Sequence, residues 1–321
     1  MNLVKRFLLI GIPIIIAIYF TIGFVFYHFA LNANSSSSRE FGEKAFVSSL
    51  AIDAEREQQE RKKDRAFLET IGPEQITMTS HDGLALQGYI FEQEKKTNTW
   101  IFATHGYTGS VRQMTRWNRQ LYELGYNIFA PDLRGHGTSE GDYYGMGWLD
   151  QQDLHDWLEI LLEREPNASI ILYGVSMGAS AMLNIAPDVP PAVKAVIADS
   201  GFTSVTSIFE TQLENTLHLP SFPILNAANT VSKLKIGLDF NEASTIEKVA
   251  NITIPIFYIH GGADTFIPVN NVHELAAVTK APHEVWIVDD ANHGEAVKVA
   301  PDMYREKLNT FIQKTKIIVT N

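Results

Sequence analysis

Three residue types that together can transfer an acyl group occur in one order along the chain: Ser176, Asp264 and His293. A serine hydroxyl is barely nucleophilic at neutral pH and needs a base within hydrogen-bond reach. An imidazole can take its proton, and a carboxylate behind the imidazole can fix the tautomer and stabilise the imidazolium. Ser176 lies in Gly174-Val-Ser-Met-Gly178, where an apolar, β-branched run ending at Tyr173 gives way to a small-residue helical stretch, Ala179 to Ala186. A serine on such a sharp strand-to-helix turn has a strained backbone. Side chains two positions to either side would clash, which is the reason for both glycines. The helix start beyond it supplies unpaired N–H groups and a positive dipole end.

Asp264 follows the strand-like Ile256–Ile259 in a loop closed by Pro268, and His293 follows Val285–Val288 in Asp289-Asp-Ala-Asn-His-Gly294. Asp199 also ends an apolar strand and is a rival acid. Asp289 and Asp290 are too close to His293 in the chain to orient it. His273 falls in a helix and His283 precedes its strand, so neither suits the role of base. His260, Asp264 and His293 lack the ligand spacing of a metal site, and no metal is expected.

Two glycine-containing loops complete the set. His105-Gly-Tyr-Thr-Gly109 closes the Trp100–Thr104 strand. The backbone N–H of Tyr107 there, with that of Met177, is the expected pair of donors to the oxyanion of a tetrahedral intermediate. His105 is expected to hold the loop. Asp132-Leu-Arg-Gly-His-Gly-Thr-Ser-Glu-Gly141 lacks the Lys-Ser/Thr ending of a phosphate cradle and reads as a supporting loop, with Arg134 and His136 bonding inward.

The elements that must position these groups are legible in the hydrophobic pattern. Glu74–Thr79 and Leu84–Phe91 alternate around His81-Asp82-Gly83 as a hairpin. From Thr99 strands alternate with helices near Met114–Leu124, Leu149–Arg164 and Val269–Thr279. That rhythm predicts an α/β fold with a mostly parallel sheet, helices on both faces and right-handed crossovers. In such sheets functional groups gather beyond the carboxyl ends of the strands, and every candidate above falls there.

His105-Gly106, Asp132-x-Arg-Gly-His-Gly-x-Ser139, Gly174-x-Ser-x-Gly178, His260-Gly-x-x-Asp264-x-x-x-Pro268 and Asn292-His-Gly294 together resemble the α/β-hydrolase superfamily. The likeness is to its branch of serine esterases, monoacylglycerol-lipase-like proteins and S33-type aminopeptidases, and it covers about Gln75 to Gln313. The resemblance implies an eight-stranded sheet, a Ser176–His293–Asp264 triad, an oxyanion hole and no cofactor. Serine at the turn disfavours chemistry that uses an aspartate there. The loop after His105-Gly106 departs from the HGGG type in lacking further glycines. The interruption between Gly201 and Thr253, with apolar Ile208, Phe209, Leu213 and Leu217 and a helix near Ala227–Lys235, resembles the family's small helical cap. The implied activity is cleavage of carboxylic esters through an acyl-enzyme; an S33-like peptidase and a non-catalytic binding module are the alternatives.

The 321 residues suffice for one large core with an appendage. A net charge of −11 argues against a nucleic-acid partner. The absence of cysteine excludes disulfides and thiolate chemistry. Phe7–Leu31 carries no Asp, Glu, Lys or Arg. As a helix it reaches roughly 37 Å at about 1.5 Å per residue, against a hydrocarbon core of about 30 Å. It is longer than a signal-peptide core, so an uncleaved transmembrane anchor is expected. Lys5 and Arg6 before it place the N-terminus in the cytoplasm and the catalytic domain outside, on the cell membrane. Asn32–Ser38 reads as a polar linker. Glu40–Thr70 reads as a helix contacting the body through Phe46, Leu50, Phe67 and Leu68, with a charged Glu55–Arg65 face. The expected organisation is therefore residues 1–31 as anchor, 32–73 as linker and charged stalk, and 74–321 as the hydrolase domain with a cap insertion at about 202–253. A chain cut before Ser35 is expected to be soluble and active.

Overall fold

The structure is a computed structural model that describes residues 7–45 and 54–318. Among the described residues, eight strands form one sheet in the order β1-β2-β4-β3-β5-β6-β7-β8. They are β1 (Glu74–Thr79), β2 (Ala85–Phe91), β3 (Thr99–Thr104), β4 (Asn127–Pro131), β5 (Ser169–Val175), β6 (Val193–Asp199), β7 (Ile256–Gly261) and β8 (His283–Val288). β1 and β2 form the expected hairpin and β2 runs antiparallel to β4; every other pairing is parallel. β3, β4 and β7 are buried along their whole length, as strands covered on both faces must be.

The helices in chain order are α1 (Ile12–Ala30), α2 (Ser36–Ala45), α3 (Ala54–Ile71), α4 (Thr115–Glu123), α5 (Gln151–Arg164), α6 (Met177–Ile185), α7 (Val205–Thr211), α8 (Ile224–Ile236), α9 (Thr245–Val249), α10 (Asn270–Val278), α11 (Ala296–Val299) and α12 (Pro301–Ile318). The core lies in two layers, one on each face of the sheet. One holds Phe102, Phe129, Trp157, Leu172 and the cap residues Phe209 and Phe240. The other holds Ile101, Trp117, Tyr173, Phe257, Tyr304 and Phe311. The cap is α7, a π-helical turn at Gln212–Thr216, an apolar loop and α8.

Two parts of the N-terminal region differ from the sequence expectation. Ser35 and Ser38 of the expected linker are buried, and the Ser38 hydroxyl donates to the carbonyls of Asn32 and Ser35. Short serine side chains satisfy backbone acceptors well at a tight turn, so the linker folds onto the body. Likewise α3 does not project as a stalk. Arg116 bonds Glu57 at 2.7 Å and Asp64 at 2.9 Å, Arg119 bonds Asp64 at 2.8 Å and also Glu60, and all these pairs cross between α4 and α3. Phe67 stacks on Phe91 at the end of that interface. The charged face selects arginines on a neighbouring helix as well as water. Phe46, Leu50, Lys5 and Arg6 lie outside the described residues.

Candidate active site

Ser176 sits between β5 and α6 with φ 60° and ψ −125°. That left-handed conformation is costly for any residue with a Cβ, and the surroundings leave no alternative. A Cβ on Gly174 would stand 2.2 Å from the carbonyl oxygen of Gly178, and one on Gly178 would stand 2.2 Å from that of Thr104. The Ser176 N–H donates to the carbonyl of Asp199 at 2.8 Å, continuing the β5–β6 ladder into the turn. The hydroxyl is thus lifted above the strand ends, beside the first N–H groups of α6.

The three side chains that the sequence scatters meet here. The Ser176 hydroxyl lies 2.8 Å from Nε2 of His293, and Nδ1 of His293 lies 2.7 Å from Oδ2 of Asp264. The other carboxylate oxygen, Oδ1, accepts the backbone N–H groups of Phe266 and Ile267 at 2.9 and 2.8 Å. Those two bonds leave Oδ2 aimed at the imidazole. With Nδ1 donating to Asp264, Nε2 is the acceptor facing the serine. All three side chains are buried.

The rivals are placed elsewhere. Asp199 accepts from Tyr304 at 2.7 Å and from its neighbour Ser200 at 2.9 Å, and Tyr304 in turn meets Tyr173 at 2.6 Å. Burial pushes the Asp199 carboxyl up to about 6. Asp289 and Asp290 are exposed on the turn after β8, His273 is exposed on α10, and His283 bonds the carbonyl of Ala281. His260 bonds the carbonyl of Ile267 at 2.8 Å and comes within 3.5 Å of Asp264 Oδ2, so it braces the aspartate loop. Burial holds its basicity below the ordinary histidine value.

The supporting loops behave as their residue types require. His105 Nδ1 bonds the carbonyl of Gly106 at 2.8 Å and its Nε2 accepts the N–H of Leu133 at 3.0 Å, tying the two loops together. Asp132 accepts from the N–H groups of Val111 and Thr138. Buried Arg134 makes a two-pronged bond to Asp153 at 2.7 and 2.8 Å and reaches Asp82 at 2.9 Å. His136 bonds the carbonyl of Arg134. Met177 opens α6, and Tyr107 lies in the loop after β3, just before Thr108 with φ 54°.

Sequence reasoning missed the contribution of the N-terminal helix. The Tyr107 hydroxyl donates to the carbonyl of Ala30 at 2.6 Å, and Phe26 meets Phe209 edge to face at 5.1 Å. Phe209, with Ile208, Gln212, Phe202, Met146 and Phe266, walls a narrow apolar cleft at Ser176. The alternation of buried Gly23, Phe26, Tyr27 and Ala30 with exposed Phe24, Val25 and His28 is the available signal; it is masked because both faces are apolar. A larger cavity, about 500 Å³, lies behind the His105–Gly109 loop between α3 and α4, and none of Ser176, Asp264 or His293 lines it.

The chain is similar in sequence and in fold to several known proteins. A family model described as "Serine aminopeptidase, S33" matches residues 95–232. The uncharacterized protein YqkD of Bacillus subtilis is 27% identical over 72% of this chain and 76% of its own length. The esterase Pf2001 of Pyrococcus furiosus superposes with a TM-score of 0.65 at 23% identity, covering 78% of this chain and 93% of that one. An acylaminoacyl peptidase of Pyrococcus horikoshii gives 0.57 at 18%, over 79% of this chain and 43% of its own. At these identities the structural likeness is one of fold. With its strand order, the serine turn between β5 and α6, and these matches, the chain has the α/β-hydrolase fold.

Proposed function

We propose that the chain is a membrane-anchored serine hydrolase that cleaves carboxylic esters through an acyl-enzyme. The observation that carries this is the unbroken hydrogen-bonded line Ser176–His293–Asp264, with both links under 3 Å. As the Ser176 oxygen attacks the ester carbonyl, Nε2 of His293 takes its proton. Asp264 holds the imidazole's orientation and offsets its new charge without taking a proton itself. The tetrahedral oxyanion is held by the backbone N–H groups of Tyr107 and Met177. His293 returns the proton to the departing alkoxide, an alcohol leaves, and the acyl group remains on Ser176. Water, deprotonated by the same imidazole, releases the carboxylic acid and restores the serine. The apolar wall of the cleft, Phe202, Ile208, Phe209 and Phe266, suits an acyl group.

The anchor is α1 with the turn before it. Residues Leu9–Ala30 are long and apolar enough to cross a bilayer. Burial of Phe26, Ala30 and Leu31 in the body supports retention of this helix over removal as a signal sequence. The expected topology leaves the catalytic domain outside the cytoplasm.

A fluorophosphonate probe tests the reading: the parent chain labels and Ser176→Ala, still folded, does not. Undiminished labelling of Ser176→Ala would overturn it. The S33 description of the matched family model supports a second reading, a peptidase. Turnover of aminoacyl amides faster than acyl esters would select it.

A further inference from the structure

The N-terminal helix is too committed to the body to act as a free tether. Its first half is exposed all round, with Leu9, Ile10, Ile14, Ile15, Ile16 and Ile18 each about half or more exposed. Its second half is docked on the cap helix α8. The Tyr19 and Thr230 hydroxyls bond at 2.9 Å. A Cβ on Gly23 would stand 2.4 Å from the carbonyl oxygen of Ala227, so the two backbones touch. Lys235 lies 5.2 Å over the Tyr27 ring, and Phe26 reaches Phe240 beyond the end of α8. The Cβ on Gly23 would also stand 2.6 Å from Cγ2 of Val231. From Tyr19 against Thr230, through Gly23 against Val231, to Tyr27 against Lys235, the partners rise along both helices, so α1 and α8 run parallel. The N-terminal end of α8 therefore points the same way as the free half of α1. The loop leading into it is Leu219-Pro-Ser-Phe-Pro223. Leu219, Pro220, Phe222 and Pro223 are all exposed there, Phe222 at 75%.

Length decides what this means. From Leu9 to Ile18 the exposed part reaches about 15 Å at 1.5 Å per residue. The hydrocarbon core is about 30 Å thick. A body standing wholly in water would leave the helix well short of the far side. Interfacial segments sink about 5–10 Å into the headgroup and acyl boundary, and local thinning accommodates a few ångströms more. Only a cap seated in the near leaflet lets the docked helix span.

We propose that the Leu219–Pro223 loop, the start of α8 and the outer flank of α1, with Phe24 and Val25, form one lipid-embedded face. Its partner is the bilayer itself. Because Phe26 on this helix backs Phe209 in the wall of the Ser176 cleft, the site draws its substrate from the membrane: an acyl ester resident in the lipid. This second half rests on the esterase reading; the seating of the cap does not.

The chain contains no cysteine, so a single introduced one can be labelled cleanly. Full-length Phe222→Cys carrying an environment-sensitive nitrobenzoxadiazole dye, reconstituted in phosphatidylcholine–phosphatidylglycerol vesicles, is compared with Glu159→Cys on the exposed side of α5. The dye at 222 is expected to be quenched by doxyl-labelled lipids and shielded from iodide, and the dye at 159 the reverse. Iodide quenching equal at both positions would overturn the proposal. So would disulfide capture of two chains through position 222, which would assign the face to a second copy. In a separate arm, Leu219→Glu with Phe222→Glu is expected to lower turnover of a long-chain ester carried in vesicles at least tenfold and leave a short water-soluble ester unaffected. Equal losses on both would overturn the membrane source of substrate. A parent chain that turns over neither ester, with the dye result intact, would sink the esterase reading and spare the seating.

Discussion

The Tyr107 hydroxyl donates to the backbone carbonyl of Ala30 at 2.6 Å, joining the last turn of α1 to the loop that follows β3. Both groups are buried, and a buried carbonyl deprived of its donor costs about 1–3 kcal/mol. The same loop offers the Tyr107 amide to the proposed oxyanion. The N-terminal helix and the candidate site therefore share a hydrogen bond.

The expectation that a chain beginning at Ser35 stays active is revised accordingly. Removing α1 exposes the surfaces covered by Phe26 and Leu31, each worth about 1.5–3 kcal/mol of burial, and strips Tyr107 of its acceptor. The shortened chain should melt about 10 °C lower, on the usual relation of stability to melting temperature, and label more slowly with a fluorophosphonate. Calorimetry and labelling rates check both; an unchanged Tm and rate would show that α1 is only a tether.

Asp264→Asn isolates the orienting role. Asparagine's oxygen can still accept the Phe266 and Ile267 N–H groups, so the loop should hold and the Tm should move little. Its amide, however, presents a donor to His293 Nδ1, which reverses the tautomer and leaves Nε2 unable to accept from Ser176. Ester kcat should fall on the order of 10⁴-fold. A loss under tenfold would reopen the assignment of the acid.

Gly178→Ala and Gly201→Ala separate crowding from glycine loss as such. At 178 the new Cβ meets two backbone carbonyls, the nearer at 2.2 Å; at 201 its nearest neighbour is a side-chain carbon at 3.4 Å. Overpacking of the first kind costs about 1–3 kcal/mol or more. Urea unfolding should show Gly178→Ala clearly destabilised and Gly201→Ala near the parent.

Asp150 supplies a pH-dependent handle. Burial pushes its carboxyl up to about 7, with Asp153 adding to the effect. Its Oδ2 accepts the Gly147 N–H at 2.8 Å, while Oδ1 has no partner. The folded state thus holds a proton that the unfolded state has already released above about pH 4. Stability falls as pH rises from about 4 to 7 and is level above that. Asp150→Asn keeps an acceptor without the charge. Its stability relative to the parent should improve from pH 5 to pH 8 by on the order of 1–3 kcal/mol, at about 1.4 kcal/mol per unit. A difference that is flat with pH, measured by urea titration, would contradict this.

How far the sequence could be read follows from where the constraints act. The eight strands and the placement of Ser176, Asp264 and His293 were legible because each is local: an apolar run ending in glycine or a turn residue marks a strand's carboxyl end, and all three residues follow such an end. The role of His105 as a brace was legible for the same reason. The docking of α1 on α8 was not, since a helix apolar all round carries no periodicity to say which face is buried. The ion pairs of Arg116 and Arg119 with Glu57, Glu60 and Asp64 were equally hidden. A charged face looks alike whether water or a neighbouring guanidinium answers it. Long-range partnership, more than element type, is what composition and spacing leave out.

The most direct test is stopped-flow mixing of the full-length chain in detergent with a p-nitrophenyl acyl ester, followed by intact-mass analysis of the quenched protein. A burst approaching one nitrophenolate per chain and an acyl adduct that maps to Ser176 are expected, both absent from Ser176→Ala. Ester turnover that survives in Ser176→Ala, or an adduct on another residue, would contradict it.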